Sequence, residues 1–298
     1  MLSYEKCNLC PRQCGVNRKI RQGACGVFGS KIRVGRAMLH KWEEPCISGA
    51  NGSGAIFFSG CSLGCIYCQN QSLSRQKTGV DITVRQLTDV MLRLQDEGAH
   101  NINFVTPTHY VPDLLAATHS AAAEGFHLPI VYNTSGYETP QTVRALQGTV
   151  DIFLTDFKYF DNLWAQRYSG VSDYVEYAKA ALAQMVRQTG RAEFDQNGLM
   201  RRGVIVRHLM LPGHTRDSEQ VLRYLRATYG DDIYISLLNQ YTPLSSLKYE
   251  NLNRTISPRM YERMVDFACM LGIKNGFIQQ EGTQKESFIP SFNGEGVL

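Results

Sequence analysis

One loop constrains this chain more than any other stretch: Gly60-Cys61-Ser62-Leu63-Gly64-Cys65-Ile66-Tyr67-Cys68-Gln69-Asn70. Its cysteines stand in a C-x3-C-x2-C spacing directly after an apolar run, Ala55-Ile56-Phe57-Phe58. That run is short and bounded by Gly54 and Gly60, so it reads as a buried strand, with the cysteines on the loop leaving its end. Gly60 and Gly64 allow the tight turns by which a loop wraps thiolates around an inorganic cluster. A cubane iron–sulfur cluster normally takes four cysteines, and structural zinc takes four ligands. Three thiolates leave one coordination position open, as catalytic metal sites do. The competing reading, inert core thiols or part of a zinc knuckle, fits poorly, because inert cysteines are buried in apolar surroundings and not gathered on a Gly-rich loop.

Eight of the nine cysteines precede Asn70. Disulfides of a secreted chain would be spread more evenly, so the asymmetry points to metal and a cytoplasmic location. Cys7, Cys10, Cys14 and Cys25 form a C-x2-C-x3-C-x10-C pattern among Pro11, Gly15, Gly23 and Gly26. They suffice for a second, closed site. Zinc there would fold the segment, whereas an iron–sulfur cluster would relay electrons or anchor substrate; the spacing leaves both open. Cys46 reads as a plain thiol in preference to a spare ligand. Cys269, within Val265–Leu271, reads as a core residue. The net charge of +4, without a Lys/Arg run, gives no case for nucleic acid. Neither a long apolar span nor a signal-peptide core is present in the sequence.

After the cysteine loop, strand-like and helix-like segments alternate. Helices are expected from Thr83, with Gln86 completing a capping box, and over 111–124, 140–146, 164–188 with a break near Gly170, 218–229 and 258–271. Strands are expected over 101–106, 129–133, 151–155, 204–211, 232–238 and 275–278. Such alternation implies a parallel sheet of βαβ units. About six units fall short of a closed eight-stranded barrel, so the expected fold is α/β, a partial, open (β/α)6 TIM-like barrel. The expected organisation is a Cys-rich metal-binding segment over 1–50, the barrel over 51–280, and a C-terminal extension over 281–298 packing on it.

In barrels the site lies at the carboxyl ends of the strands, and polar residues follow each strand here. Thr106 and Thr108 can accept from an ammonium, and His109 is a candidate general acid or base. Asn133, Thr134 and Ser135, next to Gly136, suit a ribose or carboxylate. Asp156 and Lys158 share one side of their strand end; Lys158 is a second catalytic candidate, and mutual pairing is the bland reading. Arg207 projects from a buried strand and needs an anionic partner, such as a cofactor carboxylate or Asp156.

The motifs 60–70, 133–136, 156–158 and 207–213 resemble the radical S-adenosylmethionine (SAM) superfamily. Within it they are similar to the pyruvate formate-lyase activating enzymes and their relatives with an extra N-terminal cysteine segment. The resemblance implies a [4Fe–4S] cluster on Cys61, Cys65 and Cys68, with SAM chelating the fourth iron and Tyr67 in the aromatic position before the last cysteine. It implies reductive cleavage of SAM to a 5′-deoxyadenosyl radical that abstracts hydrogen from a substrate. It implies a flavodoxin or ferredoxin as electron donor, and either a glycyl radical enzyme as partner or radical modification of a small molecule or peptide. It places Asn133, Thr134 and Asp156 beside the methionine moiety of SAM and a monovalent cation. Two departures stand out: Asn133 replaces the family's aspartate, and Thr106-Pro107-Thr108 replaces a Gly-Gly-Glu-like turn. An iron–sulfur electron-transfer protein without radical chemistry is the reading from another class.

Overall fold

The alternation of apolar runs and amphipathic segments closes into one mostly parallel sheet with helices packed on its outer face. A computed structural model describes residues 2–243, 247–279 and 290–298. The strands are β1 (Ile32–His40), β2 (Ser53–Phe58), β3 (Val80–Ile82), β4 (Ile102–Val105), β5 (Ile130–Thr134), β6 (Ile152–Asp156), β7 (Glu193–Phe194), β8 (Met200–Leu209), β9 (Tyr234–Leu238) and β10 (Gly276–Ile278). The helices are α1 (Pro45–Ser48), α2 (Gln71–Ser74), α3 (Val84–Asp96), α4 (Val111–Ala123), α5 (Pro140–Ala145), α6 (Asn162–Ser169), α7 (Tyr174–Thr189), α8 (Thr215–Tyr229) and α9 (Pro258–Met270). The strand order is β10-β9-β8-β6-β5-β4-β2-β1-β3, with β7 paired to β8. Every neighbouring pair from β2 to β10 along this path is parallel. Among the described residues β3 and β10 stay unpaired with each other, so the sheet is the open, partial TIM-like barrel expected.

Local chemistry explains the boundaries. Thr83 caps α3 through a full capping box with Gln86. Ser257 caps α9, with Pro258 in its first turn, where the missing N–H costs nothing. Gly170, left-handed with φ 64°, ends α6 and produces the break before α7.

The sheet begins earlier than the boundary at residue 50. Residues 32–40 form β1, antiparallel to β2 through pairs such as His40↔Ser53, so the cysteine segment ends before Ile32. The alternation Ile32-Arg33-Val34, with both apolar side chains buried, was the available signal. Residues 45–48 then turn into the barrel. Cys46 and Ile47 pack against Val131, Ile152, Leu154, Met200 and Ile205, so Cys46 is an apolar contact in the barrel floor. Cys269, by contrast, is exposed. The inward face of α9 is Tyr261-Met264-Val265-Ala268, and Cys269 lies one residue off that stripe. At the C-terminus, Gly294 N–H donates to Gly35 O (2.8 Å) and Ala37 N–H to Glu295 O (3.2 Å), so residues 290–298 lie along β1. The tail residues 280–289 lie outside the described residues.

Candidate active site

Alternating side chains of the central strands point into the barrel. Residues 131, 152 and 205 fill its floor; two residues on, Asn133, Leu154 and Arg207 stand above them, and Asp156 follows. The cavity over this layer has a volume of about 380 Å3, and its wall includes Cys61, Cys65 and Cys68. At Gly60 (φ 92°) a side chain would strike Val27 at 2.9 Å and Cys25 O at 3.0 Å, so only glycine lets the loop pass this close to the N-terminal segment. The N–H groups of Leu63 and Gly64 donate to Cys61 Sγ at 3.4 and 3.5 Å. Cys65 Sγ lies 2.9 Å from Ser169 Oγ. Burial and the neighbouring Cys65 push the Cys61 thiol up to about 12, so a metal is what would hold it as thiolate.

Opposite the loop is a network of buried charges. Arg207 donates through Nε to Asp156 Oδ1 (3.1 Å), through Nη1 to Glu43 Oε2 (3.1 Å) and through Nη2 to Asn133 Oδ1 (2.6 Å). Lys158 Nζ donates to Asp156 Oδ2 at 2.6 Å. Burial alone would raise the Asp156 carboxyl, but Lys158 and Arg207 hold it below the usual carboxylate range. The partner expected for Arg207 and the Asp156–Lys158 pair are thus both present, in one cluster. Gly136 permits the approach of Asp156: a Cβ there would lie 2.2 Å from Asp156 O.

Tyr67, Thr106, Thr134 and Ser135 line the cavity. The Tyr67 and Tyr159 hydroxyls share a 2.6 Å hydrogen bond. Thr106 has φ +58°, a conformation rare for a β-branched residue, at the position where glycine was expected from the resemblance. Thr108 and His109 do not reach the cavity. They sit in a short 3-10 turn that directs both side chains into the core. Thr108 Oγ1 and Thr134 Oγ1 both donate to Glu138 Oε1. His109 Nε2 bonds Ser59 O at 2.8 Å, and burial pushes the ring down to about 3, which removes it as an acid–base candidate.

Sequence reasoning missed His40, Glu43, Glu44 and Glu138. The stretch Glu43-Glu44-Pro45 reads as a polar loop, yet it enters the barrel ahead of α1, and His40, Glu43 and Glu44 line the cavity. Two acids before a helix-initiating proline were the only signal. Glu138 is fully buried, and burial raises it to about 7 against the pull of the Thr108 and Thr134 hydroxyls.

The donor set fits a cluster. No cysteine other than these three lines the cavity among the described residues. No three His, Cys, Asp or Glu side chains among the described residues close on one point tightly enough for a single ion. Cubane thiolates stand at separate corners, so wider spacing is what a cluster takes.

A partial barrel with three thiols opening on its mouth carries the donors for a cluster held by three cysteines. The Radical SAM superfamily model matches residues 55–225. The chain belongs to the radical SAM superfamily, which implies a [4Fe–4S] cluster and SAM and makes it a radical SAM enzyme. The uncharacterized protein MJ0674 of Methanocaldococcus jannaschii is 27% identical over 278 residues, covering 89% of this chain and 75% of that protein. Streptococcus suis SuiB bound to precursor peptide SuiA superposes with a TM-score of 0.50 at 12% identity, over 75% of this chain and 47% of SuiB. Methylornithine synthase (PylB) gives a TM-score of 0.47 at 13% identity, over 80% of this chain and 68% of that one. The chain thus spans about half the length of SuiB, and that likeness shows the fold. Among the described residues no helix is long and apolar enough to cross a membrane.

Proposed function

We propose that this radical SAM enzyme acts on a small molecule, or a peptide side chain, that carries a protonated amine. The cavity of about 380 Å3 is at the small end for ligand pockets, which favours a side chain or small molecule over a bulky substrate. A charge imbalance carries the reading. Among the described residues, Glu43, Glu44 and Asp156 share the wall with two cations, Arg207 and Lys158. The ion pairs among them use Glu43 and Asp156, leaving Glu44 with none. Glu44 is 7% exposed and His40 8%, and neither Glu44 Oε2 nor His40 Nδ1 has a hydrogen-bond partner among the described residues. Both atoms accept from N–H donors. Burial favours the neutral form of Glu44 against the pull of Arg207 and Ser236, and a ligand ammonium at Oε2 would favour the carboxylate.

Cys61, Cys65 and Cys68 would hold the cluster, which when bound would supply the one-electron reductive chemistry on SAM. Asp156 orients Lys158 and Arg207 so that a cofactor carboxylate meets a fixed cation. Thr106 and Ser135 add hydroxyls at the strand ends, while Phe57, Val105 and Leu238 keep water from the reacting carbon. A flavodoxin or ferredoxin is the electron donor in this reading, and the nine unpaired cysteines suit a reducing cytoplasm.

The test uses anaerobically reconstituted protein saturated with S-adenosylhomocysteine and follows n-butylamine, n-butanol and butyrate by ligand-observed NMR. Selective binding of the amine is expected, weakened at least about tenfold by Glu44→Gln, as for loss of a charged hydrogen bond. Equal binding of butanol, or an E44Q effect confined to SAM itself, would remove the amine reading. Glycyl radical installation, the activity of pyruvate formate-lyase activating enzymes, predicts instead no response to amines and an organic radical on a partner protein.

A further inference from the structure

The segment before β1 contains a second set of sulfurs that the radical chemistry above does not use. Cys7, Cys10 and Cys25 are 5%, 7% and 5% exposed, Cys14 is half-buried, and none of the four lines the cavity. The backbone folds around them: Cys7 N–H donates to Val16 O, Gly15 N–H to Cys7 O and Gln13 N–H to Cys10 O, each at 3.0 Å. Gln13 (φ 38°) and Gly15 (φ 65°) take left-handed conformations between Cys10 and Val16. The Cys25 thiol donates to Val27 O, 4.0 Å away, and Cys7 and Cys14 share a hydrogen bond.

A second observation is independent of the cysteines. Arg18 is 0% exposed. Its guanidinium donates only to carbonyls, Val27 O (3.3 Å), His109 O (2.5 Å) and Phe28 O (3.1 Å), and lies 5.1 Å over the Tyr4 ring. Among the described residues it has no carboxylate within ion-pair distance, and Cys25 and Cys7 are its nearest acidic groups in effect. A second cation stands close by. The Lys77 ammonium crosses Gly26, where a Cβ would lie 2.7 Å from Nζ, and Lys77 itself takes φ 58° to reach it. Arg18, wholly buried beside Cys7, Cys14 and Cys25, would be left without an anion if these sulfurs stayed neutral thiols, and Lys77 beside Gly26 adds a second cation next to Cys25. A metal tetrathiolate carries a charge of about −2 and matches them.

We infer that Cys7, Cys10, Cys14 and Cys25 bind a metal as an anionic tetrathiolate whose counter-charges are Arg18 and Lys77. The site braces the radical-cluster loop from behind. Cys61 N–H donates to Cys25 O at 3.2 Å, and Arg12 donates to Ser62 O (2.9 Å) and Gly170 O (2.8 Å). These four sulfurs do not close on one point for a single ion, so as they stand their wider spacing suits an iron–sulfur cluster, and metal analysis tells a cluster from zinc.

The experiment measures iron, sulfide and zinc in the full chain after anaerobic reconstitution, in wild type and in the Cys61/Cys65/Cys68→Ala triple variant. Retention by the triple variant of about one zinc or about four irons per chain is expected, lost on adding Cys7→Ser and Cys10→Ser. A triple variant without metal, or metal that survives Cys7→Ser/Cys10→Ser, overturns the assignment. Should the triple variant not fold, wild type decides: about eight irons, or about four with one zinc, supports the site, and about four irons with no zinc overturns it. Arg18→Met in the otherwise intact protein is expected to lower occupancy of this site while leaving the cluster on Cys61, Cys65 and Cys68 at full iron content.

Discussion

The loop after β2 and the N-terminal segment both gather cysteines, yet only the loop opens them onto a cavity. Cys61, Cys65 and Cys68 share a wall with Asp156, Lys158 and Arg207. Cys7, Cys10 and Cys25 are buried beneath backbone and beside Arg18, away from that wall. Three ligands facing a cavity leave a position for a cofactor, whereas four ligands under backbone leave none. The number of sulfurs and what surrounds them, more than the presence of sulfur, separates a site for chemistry from a site for structure.

The sharpest way to break this contrast is to remove one sulfur from each set. Cys68→Ala should reduce SAM cleavage by dithionite-reduced protein to background. Cys10→Ala should lower thermal stability but leave cleavage detectable in the protein that remains folded. Loss of cleavage in both, with equal folded fractions, would make the two sets one functional unit.

A smaller effect tests the charges facing the open set. Asp156→Asn leaves Lys158 and Arg207 without the carboxylate they share, and removing one partner of a buried ion pair costs about 3–5 kcal/mol. Because Asp156 is held low, its contribution is present above the ordinary carboxylate pKa and fades as pH falls through its folded value. Urea denaturation should therefore show wild type losing its advantage over D156N in acid.

Glu138 lies between the two regions, bonded to Thr108 and Thr134 and within the electrostatic reach of Cys10. Burial raises it from 4.5 to about 7, so the folded state keeps a proton that the unfolded chain releases. Stability should be full below about pH 4.5 and fall as pH rises to 7, by about 3 kcal/mol. Glu138→Gln should flatten that slope in denaturant titrations, and an unchanged slope would assign it elsewhere.

The smallest effect is expected at the rim of the open site. Thr106 pays for its φ of +58° with backbone strain, so Thr106→Gly should stabilise the fold by about 1 kcal/mol while weakening SAM binding through loss of the hydroxyl. Calorimetry and SAM titration read the two consequences separately.

Much of the architecture was legible before any coordinates. The capping box at Thr83, the closing glycine at 170 and the apolar run 55–58 are local signals, and each became the element it implied. The three-cysteine spacing is equally local and marked the cavity wall directly. The anionic partner required by Arg207 was also legible, because a buried guanidinium demands one. What was missed were β1, marked only by the short alternation Ile32-Arg33-Val34 inside the cysteine-rich first 50 residues, α1, and the fate of Thr108 and His109. A polar residue after a strand carries no mark of whether the next turn sends it outward or down, and here a 3-10 turn sent both down.

By itself, then, the amino-acid order determined the βα alternation, the openness of the barrel and the three-thiol loop, since periodicity, caps and ligand spacing act over a few residues. Only the tertiary structure decided that Glu43 meets Arg207 across 164 positions, that Glu44 forms no ion pair of its own among the described residues, and that Arg18 is sealed beside Cys7, Cys14 and Cys25. Which charge meets which depends on strand register and on how a plug enters the barrel, and those are set by packing among segments far apart in the chain.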